Sequence, residues 1–189
     1  MSGLPRLALK NNNKEEIVRL LQNGADINEQ NSNGYTALFV ACEKNHTEIT
    51  EILLKHDKIK VNLLNIGRWS PFYAACWSNR YEGSLIMLQD ARVNINMADY
   101  IGWSPLLWAC YWGRTKTVQL LISFGRNIDI LKKSTGDWFD IKSGSTALDV
   151  AKQRNRTDIV QLLQQYQNNP KETQKTLRNE LNLKGKKII

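Results

Sequence analysis

The chain has 189 residues, which is the usual length of one domain and enough to bury a sizeable core. Its 26 lysines and arginines against 18 aspartates and glutamates give a net charge of +8, and half of that excess lies in residues 167–189, which favours an acidic partner. The longest apolar run has only seven residues, the first ten residues do not resemble a signal peptide, and the three cysteines lack a paired spacing. These features exclude a membrane helix and a disulfide framework, so we expect a soluble protein of the cytoplasm or the nucleus.

Four residue types recur every 34 positions in the same phase. They are cysteine at Cys42, Cys76 and Cys110; asparagine at Asn28, Asn62 and Asn96; a hydroxyl residue at Thr36, Ser70 and Ser104; and an aromatic residue at Tyr35, Trp69 and Trp103. Such coincidences indicate internal repeats, which have to be recognised before single elements are assigned.

Each repeat predicts two short helices joined by a turn. Ser104 can cap the first helix, and Pro105 stands at the first helical position, where its missing N–H costs nothing. Gly113 allows a turn, the apolar stretch 118–122 predicts a second helix, and Gly125 can end that helix in the left-handed conformation. The same start signal recurs at Thr36, Ser70 and Thr146. The unit is therefore a helix–turn–helix followed by an extended connection.

This unit resembles the ankyrin repeat, which has a period of about 33 residues and a Thr-Pro-Leu-His-x-Ala signature. The matching segments are Thr36-Ala-Leu-Phe-Val-Ala41, Ser70-Pro-Phe-Tyr-Ala-Ala75, Ser104-Pro-Leu-Leu-Trp-Ala109 and Thr146-Ala-Leu-Asp-Val-Ala151, with a family ending at Gly24-Ala-Asp-Ile-Asn28 and a degraded one at Gly125-Arg-Asn-Ile-Asp129. The signature histidine is replaced by Phe39, Tyr73, Leu107 and Asp149. The resemblance implies an all-α ankyrin-repeat solenoid, built of helix–turn–helix units with short extended fingers that resemble β-hairpins.

In chain order, we predict an ankyrin-repeat domain over residues 1–166 and a basic C-terminal tail over 167–189. The domain comprises an N-terminal half-repeat at 4–28, repeats at about 33–62, 67–96, 101–129 and 143–166, and an inserted finger at 130–143. The step from Ser104 to Thr146 is 42 residues, which places an insertion of eight residues in that finger.

The sequence offers no pattern typical of an enzyme, a metal site or a cofactor. His46 and His56 lack the spacing of metal ligands, and the resemblance places His46 at the start of an outer helix. The cysteines lie one repeat apart and are predicted to be small buried residues that neither pair nor bind metal. We therefore expect a non-catalytic protein without a cofactor or a small-molecule substrate.

Aromatic residues are the candidate partner contacts. In the ankyrin family the fingers and inner helices line the concave side, which implies contact positions for Tyr35, Trp69, Trp77, Trp103, Trp108, Tyr111 and Trp112. Tryptophan and tyrosine are enriched where interfaces concentrate binding energy. The alternative is that these rings pack on their neighbours inside the fold.

Two further segments have open interpretations. Trp138 and Phe139 of the inserted finger either fold back on the repeats or form a contact loop. In the tail, Leu177, Leu181 and Leu183 can line a short helix that either packs on the last repeat or stays mobile.

The function predicted from these features is protein binding by an adaptor or scaffold, on an aromatic-rich concave face. The expected partner is a protein, possibly acidic, and the chain itself is expected to be monomeric and not bound to a membrane. The alternative is binding of a nucleotide or single-stranded RNA, in which aromatic rings stack on bases. A third possibility is an adaptor that works through its tail.

Overall fold

The computed structural model describes residues 3–4, 13–183 and 185. Within these residues it shows ten helices and no β-sheet, so the predicted all-α repeat fold is confirmed. The chain divides into two compact units, Met1–Asn94 and Ile95–Ile189, which we call the N-terminal and the C-terminal unit. Part of the predicted half-repeat, residues 5–12, lies outside the described residues.

The N-terminal unit contains five described helices in two rows. They are α1 (Lys14–Gln22), α2 (Ala37–Lys44), α3 (Thr47–Leu54), α4 (Pro71–Trp77) and α5 (Tyr81–Gln89). The inner helices α2 and α4 pack on each other, and the outer helices α1, α3 and α5 pack in sequence. The inner helices are buried along almost their whole length, which explains why they are apolar on every side.

The C-terminal unit has two inner and two outer helices and adds a tail helix. It contains α6 (Pro105–Trp112), α7 (Thr115–Ser123), α8 (Ala147–Gln153), α9 (Thr157–Asn168) and α10 (Pro170–Glu180). The inner helices α6 and α8 are in contact, as are the outer helices α7 and α9.

The tail helix α10 packs against α7 and α9. Leu177 and Leu183 are buried, and the guanidinium of Arg178 donates to the carbonyl oxygen of Ser123 and lies 5.7 Å from the ring centroid of Phe124. Of the two interpretations of the tail, packing on the repeats is therefore the one found for residues 170–183.

The predicted helix starts are present in all four inner helices. The hydroxyl of Thr36, Ser70, Ser104 or Thr146 accepts a hydrogen bond from the backbone N–H three residues later, over 3.0 to 3.4 Å. Each of these bonds satisfies one of the free donors at a helix N-terminus. The inner helices therefore begin where the repeat motif places them.

The three periodic asparagines bind the backbone of the next finger. Asn62 donates from Nδ2 to the carbonyl oxygen of Arg92 and accepts at Oδ1 from the N–H of Asn94, both over 2.8 Å. Asn28 makes the same pair of bonds with Lys58 and Lys60, and Asn96 makes it with Asn127 and Asp129. One carboxamide thus satisfies a donor and an acceptor of a backbone segment that belongs to no sheet.

The last finger departs from this series. The sequence alignment pairs Asp129 with Asn28, but Asp129 donates its N–H to Asn96 and so holds the position of Lys60 and Asn94. Leu131 lies two residues further on, at the position of the periodic asparagine in the earlier fingers, and its side chain is exposed. The alignment of the degraded ending was therefore wrong by two residues.

The insertion lies mainly in the tip of the last finger. In the first three fingers the N–H of Asn31, Asn65 or Asp99 bonds to a carbonyl oxygen four residues later. In the last finger the equivalent bond runs from Ser134 to Ser145 and encloses ten residues, where the others enclose three. Seven of the eight inserted residues therefore lie in residues 135–144.

We predict that Asn62→Ala lowers the free energy of unfolding by about 1–2 kcal/mol, because two backbone groups lose their partner. Asn33→Ala is the control, since the Asn33 side chain is exposed and makes no hydrogen bond to any described residue. Urea denaturation measures both variants. Equal stability of the two variants would show that the asparagine bonds do not stabilise the finger.

Candidate functional site

The aromatic residues of the N-terminal unit form stacked, half-buried groups. The ring of Tyr35 lies on Phe39 at 4.5 Å between centroids, and the rings of Trp69, Tyr73 and Trp77 stack on one another with centroids 5.3 to 6.4 Å apart. Tyr73 is buried, whereas Tyr35, Trp69 and Trp77 are partly exposed. These three predicted contact residues therefore present ring faces or edges to the surface.

The aromatic residues of the C-terminal unit form a buried cluster instead. Trp103 lies at its centre, with ring centroids 4.5 Å from Trp108, 5.6 Å from Tyr111 and 6.4 Å from Trp138. The rings meet tilted or edge to face, which is a favourable arrangement for aromatic pairs.

A buried carboxylate holds this cluster in place. Asp99 accepts at Oδ2 from the indole Nε1 of Trp108 over 2.9 Å, and at Oδ1 from the backbone N–H of Ile101 and Trp103. The carboxylate is thus compensated by three donors although its residue is almost fully buried. Sequence reasoning missed Asp99, although it continues the 34-residue series of Asn31 and Asn65, which accept at the same place in their fingers.

Trp103, Trp108 and Tyr111 do not lie exposed for a partner; of the two interpretations of these rings, packing on their neighbours is the one found. Their side chains are 0, 3 and 5% exposed, because the inserted finger brings Trp138 onto them and Arg154 covers Tyr111. Their role in the described structure is packing.

Trp112 and Phe139 are the exposed aromatic residues at the two ends of this cluster. Trp112 is 43% exposed and contacts Tyr111 edge to face, and Phe139 is 80% exposed and contacts Trp138 in the same way. The two interpretations of the inserted finger therefore each apply to one residue: Trp138 folds back on the cluster, and Phe139 remains on the surface.

A tight turn presents Phe139. Trp138 and Ile141 exchange two backbone hydrogen bonds of 2.9 Å, so Phe139 and Asp140 form a two-residue loop, and Ile141 is buried. Phe139 has a φ of +49°, a conformation that bulky residues rarely adopt and that costs of order 1 kcal/mol or more. An exposed phenyl group in a strained turn is a feature that packing does not explain.

Asp137 fixes the base of this turn. Its carboxylate accepts from the N–H of Ser143 over 2.8 Å and from Nζ of Lys142 over 3.1 Å. These two hydrogen bonds hold the pKa of the Asp137 carboxyl below its ordinary value, and the bond from Ser143 has the larger effect.

Arg154 lies beside the turn, at the end of the inner helix α8. Its guanidinium carbon is 4.5 Å from the ring centroid of Tyr111, and Nη1 lies 3.5 Å from Oδ2 of Asp140. Its Nε is buried and has no acceptor among the described residues. We call Trp112, Trp138, Phe139 and Arg154 the aromatic patch; all four belong to the C-terminal unit.

Two other arginines near the predicted contact residues, Arg80 and Arg156, are bound to backbone. Each directly precedes the outer helix of its repeat. Each also donates to a carbonyl oxygen in the inner helix of the repeat before it, Arg80 to Glu43 and Arg156 to Tyr111. Their shared position could have been read from the sequence, because they precede the outer helices of their repeats by the same spacing.

The three cysteines are buried and unpaired, as predicted. Burial raises the pKa of all three thiols, that of Cys76 to about 12, against an ordinary value of 9.0. Among the described residues, no three His, Cys, Asp or Glu side chains lie close enough to hold a metal ion. In the same part of the chain, no helix combines the length and the apolar character that crossing a membrane requires.

Comparison with known proteins agrees with the repeat pattern. A sequence profile described as "Ankyrin repeats (3 copies)" matches residues 6–99 and 85–175. Among curated proteins, the Homo sapiens Ankyrin repeat domain-containing protein 40 is 44% identical over 41 residues. The matched segment is 21% of this chain and 11% of the human protein, so most of that protein's length has no counterpart in the match.

We predict that Trp108→Ala and Trp112→Ala have very different effects on stability. Removing the buried Trp108 ring leaves a cavity and deprives Asp99 of a donor, which should cost about 3–5 kcal/mol. Removing the partly exposed Trp112 ring should cost less than about 1 kcal/mol. Thermal unfolding measures both, and a larger loss for Trp112 would contradict the described burial.

The buried thiols predict a loss of stability in alkali. Because the folded state holds the proton of Cys76 to higher pH than the unfolded state, the contribution of this thiol is complete below about pH 9 and falls as the pH rises toward about 12. The expected slope is about 1.4 kcal/mol per pH unit for one thiol. Unfolding free energies of the protein and of Cys76→Ala between pH 7 and pH 10.5 measure it; parallel curves would refute the prediction.

Proposed function

Because the chain belongs to the ankyrin-repeat family, whose members are generally protein–protein interaction modules, we propose that it binds a protein partner through exposed aromatic residues on its fingers and inner helices. In the C-terminal unit the contacts are Trp112 and Phe139, supported by Trp138, and in the N-terminal unit they are the partly exposed Tyr35, Trp69 and Trp77. The protein acts as a non-catalytic adaptor.

The observation that carries this proposal is the exposure of Phe139 and Trp112 at the edges of a fixed cluster. Binding anchors are most effective when they are rigid, because little conformational entropy is then lost on association. Trp138 and Tyr111 hold the two exposed rings from beneath, and the bonds of Asp137 hold the turn. The exposed rings thus have the preorganisation of interface anchors.

Binding of single-stranded RNA is a weaker alternative. Stacking on bases would need arginines or lysines free to hold phosphates near the rings. Arg80 and Arg156 instead use their guanidinium groups to bind backbone carbonyls. Arg154 is only weakly paired, but one guanidinium suits a single carboxylate better than a row of phosphates, which supports a protein partner.

The test is capture of partners from lysate by the protein and by the double variant Trp112→Ala with Phe139→Ala. We expect loss of captured proteins, with little change in melting temperature and no effect of nuclease. The control is Ile66→Ala with Tyr100→Ala, which removes two exposed fingertip residues outside the aromatic patch. Retention of every partner by the folded double variant would refute the proposed site, and loss of capture after nuclease treatment would favour RNA.

A further inference from the structure

We propose that Arg154 receives a carboxylate of the bound protein partner, and that Asp140 occupies this position in the free protein. The inference rests on the proposed function and names the chemistry of the partner. The partner segment that contacts the aromatic patch is then acidic, with a glutamate or aspartate next to apolar residues.

Arg154 is held in place but only weakly paired. The ring of Tyr111 supports the flat face of its guanidinium at 4.5 Å, which fixes the direction of its donors. Its side-chain hydrogen bond from Nη1 to Asp140 is 3.5 Å long, and Nε has no acceptor in the part of the chain that the structure describes. A guanidinium with one long bond retains the capacity to bind a carboxylate through two short parallel bonds.

Asp140 can leave Arg154 without disturbing the turn. Its backbone carbonyl oxygen accepts from Nε2 of Gln153 over 2.7 Å, so the main chain is attached independently of the carboxylate. The Asp140 side chain is 50% exposed and that of Arg154 33%, so both are reachable from solvent. Asp137 differs in this respect, because its carboxylate itself binds the backbone of Ser143.

The surroundings favour an acidic segment that also carries apolar side chains. Asp140 follows Phe139 directly, and Arg154 lies on Tyr111, whose ring contacts Trp112 at 5.1 Å. A second cation is near, since Arg156 donates to the carbonyl oxygen of Tyr111. Exposed aromatic rings thus adjoin both the residue that pairs with Arg154 and the ring that supports it, so a matching partner has apolar residues near its acid.

The experiment is selection from a displayed library of random twelve-residue peptides against the intact chain. We expect the selected peptides to combine Asp or Glu with apolar residues. For the best peptide, D140N should bind about two- to fivefold tighter, because a competing surface ion pair is removed. Arg154→Gln should bind about tenfold more weakly, and Arg154→Lys should recover only part of the affinity because it lacks the planar fork.

The outcomes separate this inference from the proposed function. Selected peptides that depend on Trp112 and Phe139, but carry no acid and ignore Arg154, would overturn the inference and leave the proposed function standing. Unchanged affinity of the acidic peptide for both D140N and Arg154→Gln would also overturn it. Failure to select any peptide that depends on Trp112 or Phe139 would overturn both. Circular dichroism melting of each variant confirms that folded proteins are being compared. The expected gain in affinity of D140N cannot result from misfolding.

Discussion

A single carboxamide fixes the spacing between successive fingers. Asn62 can satisfy one N–H and one C=O of the following finger only when that backbone lies at one distance and in one direction, and Asn28 and Asn96 impose the same condition. Because the fingers form no β-sheet among the described residues, these side chains satisfy backbone groups that a neighbouring strand would otherwise satisfy. The 34-residue period is thus maintained by hydrogen-bond geometry as well as by the packing of apolar helices.

The aromatic patch depends on that framework. Asp99, in the same finger as Asn96, orients Trp108, and the rings of Trp103, Trp108 and Tyr111 then form the base on which Trp138 and Arg154 rest. Because these rings are buried, they support Trp112 and Phe139 rigidly and are themselves removed from contact with a partner. The binding chemistry that we propose therefore comes from the edge of a core cluster, whose interior stabilises and whose rim contacts the partner.

The sequence was sufficient to predict the repeats, the capped inner helices and the buried cysteines, because these follow from local spacing and from the apolar pattern. It could not distinguish Trp69 from Trp103, which occupy the same place in their repeats, because the burial of Trp103 depends on an insertion more than 30 residues later. Arg154 was missed for a similar reason, since its contact with Tyr111 joins residues 43 positions apart across that insertion. The periodic asparagines were recognised as a pattern, but their hydrogen bonds involve backbone atoms that carry no sequence signal.

Because the three cysteines occupy equivalent places in their repeats, their thiols can be used to follow the local opening of single repeats. Cys42, Cys76 and Cys110 lie on successive inner helices and are all fully buried, so each thiol becomes reactive only when its own repeat opens to solvent. With two cysteines replaced at a time, the rate of thiol labelling reports the opening of one repeat. The protein thus carries its own probes of how far cooperativity extends from one repeat to the next.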